Sequence, residues 1–174
     1  MKTSALLLAL SLMAQAPAAD LGHTATEFRL EVSLPYAQVA PLFGALAEQK
    51  WAPDWRPQFV YPLPAADQEG SVFKVEHCSQ SSIWITTVFN LPGGHIQYVY
   101  LLNNLLITRI DILLTKEDSY RTGVSVTYER TVLDAAATDH LRHLAKRDAE
   151  AGPEWQAALH SYAAKVKSHG ALSG

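Results

Sequence analysis

From residue 58 to residue 133 the chain offers one strand-like run after another, joined by turns too short to hold a helix, and only then does a long helical tail begin. No other feature constrains the fold as much. Residues 70–78 set Phe73, Val75 and His77 on one face and Val72, Lys74 and Glu76 on the other. Residues 82–89 are β-branched and aromatic, and residues 95–101 and 105–115 continue the series. In residues 120–133, Val124, Val126, Tyr128, Arg130 and Val132 alternate with Ser125, Thr127, Glu129 and Thr131, the period-2 pattern of a half-buried strand. Residues 58–63 read as a short strand stopped by Pro62 and Pro64, and residues 24–34 read as an earlier one with Phe28, Leu30, Val32 and Leu34 facing inward. Turn chemistry separates the runs at 79–82, 90–94, 103–104 and 116–119. Successive strands on tight turns make an antiparallel meander.

A sheet with one apolar face must bury that face. Asp134 is an N-cap for an Ala-rich helix running to about residue 167, with apolar stripes at Leu141, Leu144, Ala145 and at Trp155, Leu159, Tyr162, Val166. Gly152-Pro153 between the stripes predicts a kink or a split. Val39, Leu42, Phe43 and Leu46 predict a short amphipathic helix over residues 35–49. The segment Trp51-Ala-Pro-Asp-Trp55-Arg-Pro57 follows, and its two Trp and two Pro exclude a regular helix or a central strand. It predicts a compact aromatic turn at the mouth of a cavity, since a curved sheet gripping one helix leaves concave, mostly apolar space.

The 174 residues suit one domain, and 48% hydrophobic against 18% charged residues supply a sizeable core. A formal net charge of −3, with Lys and Arg scattered, excludes a nucleic-acid partner. Residues 1–19 read as a signal peptide: Lys2 is the positive n-region, residues 5–14 are an apolar h-region too short to span a bilayer, and Ala14-Gln-Ala16 and Ala16-Pro-Ala18 fit a small-x-small cleavage site. Cleavage is expected around Ala18 or Ala19, leaving residues 20–174 as one secreted or periplasmic domain with no stable membrane anchor, a monomer or weak dimer. Removing Lys2 shifts the formal charge from −3 to −4. The single cysteine, Cys78, excludes an internal disulfide and is expected to be buried.

Several residues together resemble the polyketide cyclase/START/Bet v 1-like (SRPBCC) superfamily: Trp51-x3-Trp55-x-Pro57, Gly70-Ser-Val-Phe73, Ser82-Ile-Trp84, Ile96-Gln-Tyr98, Val124-Ser-Val-Thr-Tyr128-Glu-Arg130-Thr, and Trp155. The resemblance covers roughly residues 24–166. It implies an α+β helix-grip fold, a curved antiparallel sheet of about seven strands wrapped around a long C-terminal helix. For function it implies a cavity for a hydrophobic or amphipathic ligand, lipid-like or aromatic, but not which ligand, because one fold serves carriers, cyclases, receptors and regulators. Members are mostly cytosolic, and the export signal sets this chain apart from roles such as cyclisation beside a synthase.

The candidate ligand-binding residues are Trp51, Trp55, Phe73, His77, Trp84, Tyr98, Tyr128 and Arg130. Aromatic rings supply large apolar area, and Tyr adds a polar tip. Arg130 shares the apolar face, so it must be paired; Asp111 on the neighbouring strand is a possible structural partner, and a ligand carboxylate is the functional alternative. His140 and His143 stand at i, i+3 beside Asp139 but supply too few ligands for zinc, and a solvated helix face explains them. There is no nucleophile elbow, phosphate loop or His-Glu-x-x-His, and no cofactor or metal motif. A ligand carrier is the primary reading. The alternatives are a cyclase/dehydratase-type enzyme with His77 or Glu129 as cavity acid/base, and an interaction module with a vestigial cavity.

Overall fold

The computed structural model describes residues 21–77 and 80–171; residues 1–19 with the expected signal peptide, Cys78, and the side chain of His77 lie outside what is described. The strands are β1 (His23–Val32), β2 (Gln58–Tyr61), β3 (Val72–His77), β4 (Gln80–Asn90), β5 (His95–Leu102), β6 (Leu106–Lys116) and β7 (Thr122–Val132). They form one sheet in the order β1-β7-β6-β5-β4-β3-β2, every neighbour antiparallel. The meander from β2 to β7 is therefore as expected, and β1 closes on β7 rather than on its sequence neighbour. Asn103 and Asn104 make the tight β5–β6 turn by both taking positive φ, 45° and 57°, a conformation Asn tolerates through its short polar side chain.

The period-2 pattern is obeyed across the sheet: Phe28, Leu30 and Val32 on β1, Phe73 and Val75 on β3, Ile110, Ile112 and Leu114 on β6, and Val124 and Val126 on β7 are buried on one concave face. The long helix α2 (Thr138–Ala171) lies along β1 and touches β7. Asp134 accepts a hydrogen bond from the Ala136 amide at 2.9 Å, and a single 3-10 turn, Ala135–Ala137, leads into the helix.

Two local expectations are corrected. Gly152-Pro153 does not split α2, which runs through Pro153. The loss of one backbone donor, about 3 kcal/mol for an interior proline, is offset by what lies on either side. Gly152 is buried against Phe28, where an added Cβ would stand 3.3 Å from the ring, and the next turn places Trp155 edge-on to Phe28 at 5.6 Å. The predicted helix over residues 35–49 is broken. A four-residue helix α1 (Tyr36–Val39) passes into 3-10 turns at Ala40–Leu42 and Ala47–Lys50, with Phe43 extended between them and Gly44 at φ +127°. Gly44 is required there twice over: its φ is outside the range of L side chains, and a Cβ would meet the Asp67 carboxyl at 2.5 Å.

α2 covers only the β1–β7 side of the concave face. The broken segment and the Trp51–Trp55 turn cover the rest: Trp55 packs on Phe73 and Trp84, while Trp51 reaches Trp155 of α2 at 5.3 Å. Residues 40–55 are thus a cover segment, and the site lies beneath it.

Candidate functional site

Cross-strand pairing builds an aromatic wall. Phe73, Trp84 and Tyr100 stand directly opposite one another on β3, β4 and β5, so their rings stack in sequence: Phe73 on Trp84 at 5.7 Å and 21°, Trp84 on Tyr100 at 4.1 Å and 20°. Tyr98 meets Phe73 and Trp84 edge-on at 6.2 and 6.0 Å, and Trp55 closes on Trp84 at 5.3 Å. The indole donors are satisfied inside the protein, Trp51 to the Leu42 carbonyl and Trp55 to the Ala45 carbonyl at 2.7 Å each, and Trp84 to the Ser82 hydroxyl at 2.8 Å. These bonds fix the indole rings in the wall. Tyr100 keeps 9% and Trp84 7% of their surface accessible, whereas Ile96 and Ile112 on the same face keep none.

Arg130 lies on this face but does not pair with Asp111. The register sets Arg130 opposite Thr108, so the even-numbered residues of β6 face inward and Asp111 faces out. Asp111 there binds His95 at 2.9 Å, Gln97 at 2.8 Å and Arg109 at 3.0 Å. Arg130 instead grips Asp148 of α2, Nε donating to Oδ2 at 2.6 Å and Nη2 to Oδ1 at 2.8 Å, while Nη1 donates to Thr108 Oγ1 at 2.9 Å and to the Tyr100 hydroxyl. Its guanidinium also lies over the Tyr128 ring at 5.1 Å. Burial works against its charge, but the bonds to Asp148 and Tyr100 outweigh it and hold the pKa above the ordinary value. With its fork committed, Arg130 ties helix to sheet and has no donor pair left for a ligand carboxylate. Glu129, one of the two acid/base candidates, also faces out, paired with Arg109 and 3.5 Å from His23.

Tyr128 faces the interior beside Phe28 at 6.3 Å. Burial, then the charge of Asp148, pushes its pKa above the usual value. Among the described residues no hydrogen bond reaches its hydroxyl.

The residue that sequence reasoning missed is Glu48. It is only 6% exposed, and its Oε1 accepts from the Tyr98 hydroxyl at 2.9 Å and from the Gly44 amide at 3.3 Å. No hydrogen bond among the described residues reaches Oε2. Burial pushes the carboxyl up to about 8, against the two hydrogen bonds and with some help from the charge of Asp67. Asp67 itself, raised by burial, accepts from the amides of Leu46 and Ala47 at 2.8 and 2.9 Å and so holds the turn that carries Glu48. A continuous helix would have buried Leu46; the break at Gly44 turns Leu46 outward, 40% exposed, and Ala47 and Glu48 inward. The signal available in the sequence was Pro41 followed by Gly44.

Open depressions lie on the outside of the described residues. One of about 290 Å³ lies outside the cover segment between Phe43, Lys50, Asp67 and Phe89; another, about 820 Å³, opens on the outer face among Glu27, Arg29, Thr115, Ser125 and Thr127. No group of three or more potential metal ligands occurs among the described residues, and no described helix is long and apolar enough to cross a membrane.

No protein-family model matches the chain, and no curated protein sequence does. Solved structures do. A norcoclaurine synthase variant from Thalictrum flavum aligns at TM-score 0.61 and 8% identity over 84% of this chain and 97% of that one. The Zhui aromatase/cyclase of Streptomyces sp. R1128 aligns at TM-score 0.58 and 14% identity, covering 83% and 96%. A hypothetical protein of Helicobacter pylori aligns at TM-score 0.59 and 12% identity, covering 93% and 98%. At these identities the likeness shows the fold, the helix grip of Bet v 1-like proteins, across nearly the whole of each neighbour.

Proposed function

We propose that this helix-grip protein binds a hydrophobic or amphipathic small molecule, aromatic or lipid-like, between the sheet and its two covers. The observation that carries the reading is the Phe73–Trp84–Tyr100 stack, an aromatic wall on the sheet face beneath the cover segment, beside which the Trp51, Trp55 and Trp84 indole donors are bonded inside the protein. Trp55, Tyr98 and Tyr128 complete the lining, Trp51 anchors the cover to α2, and Arg130 holds the helix in place. The fold neighbours support it, since their names describe proteins that act on small organic molecules. The Lys2 and residue 5–14 pattern supports a site of action outside the cytoplasm.

The test is what travels with the protein. The mature chain is purified gently from an exporting host, and its native mass is compared with its denatured mass. A discrete extra mass that Trp84→Ala abolishes supports the reading. An interior that stays empty, and binds none of a panel of aromatic and acyl probes detected by tryptophan quenching, overturns it.

A second reading rests on Glu48. A buried carboxyl with its pKa near 8 carries its proton at neutral pH and can exchange it, which is what a general acid/base needs. On that reading Glu48→Gln abolishes turnover of a substrate that it still binds.

A further inference from the structure

We infer that the convex outer face of the sheet is a self-association surface, on which a second copy of this chain packs face to face with β5 against β5. The inference stands apart from the interior-ligand reading, since it concerns the opposite face of the sheet.

A sheet with one wet face alternates apolar with polar residues along each strand, whereas a strand apolar on both faces is one covered on both. β1 and β7 follow the first pattern: Glu27, Arg29 and Glu31 point outward on one, and Ser125, Thr127 and Glu129 on the other. β4 and β5 depart from it. β4 turns Ile83 and Ile85 outward, 49% and 42% exposed, and β5 turns Val99 and Leu101 outward. The register joins them into one patch. Ile83, Leu101 and Ile107 stand directly opposite one another across β4, β5 and β6, and Val72, Ile85 and Val99 do so across β3, β4 and β5. Among the described residues nothing covers this patch, because α2 and the cover segment both lie on the concave face. A contiguous apolar patch with a polar rim marks an interaction surface.

The charges on its flanks make the patch complementary to itself. β5 is the middle strand of the seven, with β3 two places to one side and β7 two places to the other. The β3 flank carries exposed Lys74, directly opposite Ile83. Glu76, further along β3, accepts from the Ser81 hydroxyl at 2.7 Å, and among the described residues no ion pair reaches Lys74. The β6–β7 flank is acidic overall, because Arg109 alone serves both Asp111 at 3.0 Å and Glu129. A twofold axis along β5 lays β3 of one copy over β7 of the other, and β4 over β6. Val99 and Leu101 then meet their own counterparts, and Ile83 meets Ile107. Lys74 falls over Thr131, one outward position or about 7 Å from Glu129, a gap its four-carbon stem bridges. The pair forms twice per dimer. A lipid surface would gain nothing from the acidic flank.

The curvature that grips α2 limits how far two convex faces touch. Five strands by about five residues make a footprint of roughly 350 Å² per copy, well under the ~800 Å² each partner buries in a standard interface. The dimer is therefore weak and concentration-dependent, with a dissociation constant on the order of 10⁻⁵ to 10⁻⁴ M.

Sedimentation equilibrium of the chain from residue 20 onward, over about 1 µM to 1 mM, reads this directly. The wild type is expected to pass from monomer to dimer across that range, and Ile83→Glu, which adds a charge at the patch without touching the core, to stay monomeric. Lys74→Glu alone and Glu129→Lys alone are each expected to weaken association at least about tenfold through two like-charge contacts. An equimolar mixture of these two variants is expected to recover the wild-type association, because the heterodimer matches both pairs; the recovery also shows that both variants are folded. A chain monomeric at every concentration overturns the inference, as does a dimer that Ile83→Glu leaves intact. Single charge variants that associate like the wild type, or a mixture that fails to recover, overturn it too. A monomer that sediments with phosphatidylglycerol vesicles, and loses them in Ile83→Glu, assigns the face to lipid and overturns it as well.

Discussion

Three buried ionisable residues set the character of this interior, and they differ in how their charge is met. Arg130 and Asp148 meet in a bidentate pair that occupies both carboxylate oxygens, so breaking it leaves a buried charge without a partner. Asp148→Ala is expected to cost about 3–5 kcal/mol, read as a fall in the urea midpoint, and the double replacement Arg130→Met with Asp148→Leu recovers most of that. If Asp148→Ala costs less than the usual surface substitution, the pair is not what ties α2 to the sheet. Glu48 has no such partner. Its pKa of about 8 in the folded protein lies above the ordinary 4.5 of an unfolded chain, so the native state binds more protons between those values. Its contribution to stability is full below pH 4.5 and is lost as pH rises towards 8, by up to about 1.4 kcal/mol per pH unit. Across pH 5–8 the stability of the wild type is expected to fall relative to Glu48→Gln. Parallel urea midpoints for the two proteins over that range count against a neutral, buried Glu48. Arg130 could be read from the sequence as a paired interior residue because a cation on an alternating apolar face has no other option. Asp148 could not be matched to it, since residues 18 apart on different elements carry no common period. Glu48 was hidden because its burial depends on a backbone break that a helical pattern conceals.

At the level of elements, periodicity made most of the sheet legible. The inward faces of β1, β3 and β7 follow directly from alternation, and tight Asn and Gly turns fix the meander. The cover segment was legible only in its Trp51–Pro57 half, where proline forbids regular structure. In its first half the apolar spacing of Val39, Leu42, Phe43 and Leu46 imitates a helix, but tertiary contact with Asp67 wins over local propensity. α2 gave the opposite lesson, because Gly152-Pro153 looks like a break, yet burial of Phe28 and Leu159 and the packing of Trp155 on Phe28 carry the helix through. The cover's fold therefore hinges on Gly44 and Asp67 together. Gly44→Ala is expected to destabilise by about 1–3 kcal/mol through its φ and its clash with Asp67. Asp67→Ala removes the acceptor of two amides as well as the clashing group, so the cost of the double variant falls short of the sum of the singles. Strict additivity in the urea midpoints would show that the two residues do not act on the same turn.

For the molecule as a whole, the two covers of the concave face are fastened differently, and that difference sets how a ligand enters. α2 is held by the Arg130–Asp148 pair, by Gly152 set close on Phe28, and by a buried stripe ending in Leu159 and Ala163. The cover segment buries Leu42, Phe43, Ala45 and Trp51, but its polar ties are single hydrogen bonds: two amides on Asp67, two indoles on backbone carbonyls, and Tyr98 on Glu48. A segment of short 3-10 turns outside the strand ladder, with no buried ion pair, opens at lower free energy than the global unfolding of the sheet. Opening the cover exposes Trp55, Trp84 and Tyr98 without breaking any strand pair, whereas moving α2 breaks the buried ion pair. Ligand exchange is expected to proceed through the cover, and hydrogen–deuterium exchange can read this directly. In the free protein the amides of residues 40–55 should exchange well before those of β5, β6 and β7. A bound ligand, which closes on both wall and cover, should slow residues 40–55 first and most, by a factor that grows with its concentration over its dissociation constant. If residues 40–55 exchange together with the sheet core, with or without ligand, the cover is part of the cooperative core, and the entrance lies on the α2 side beside Tyr128.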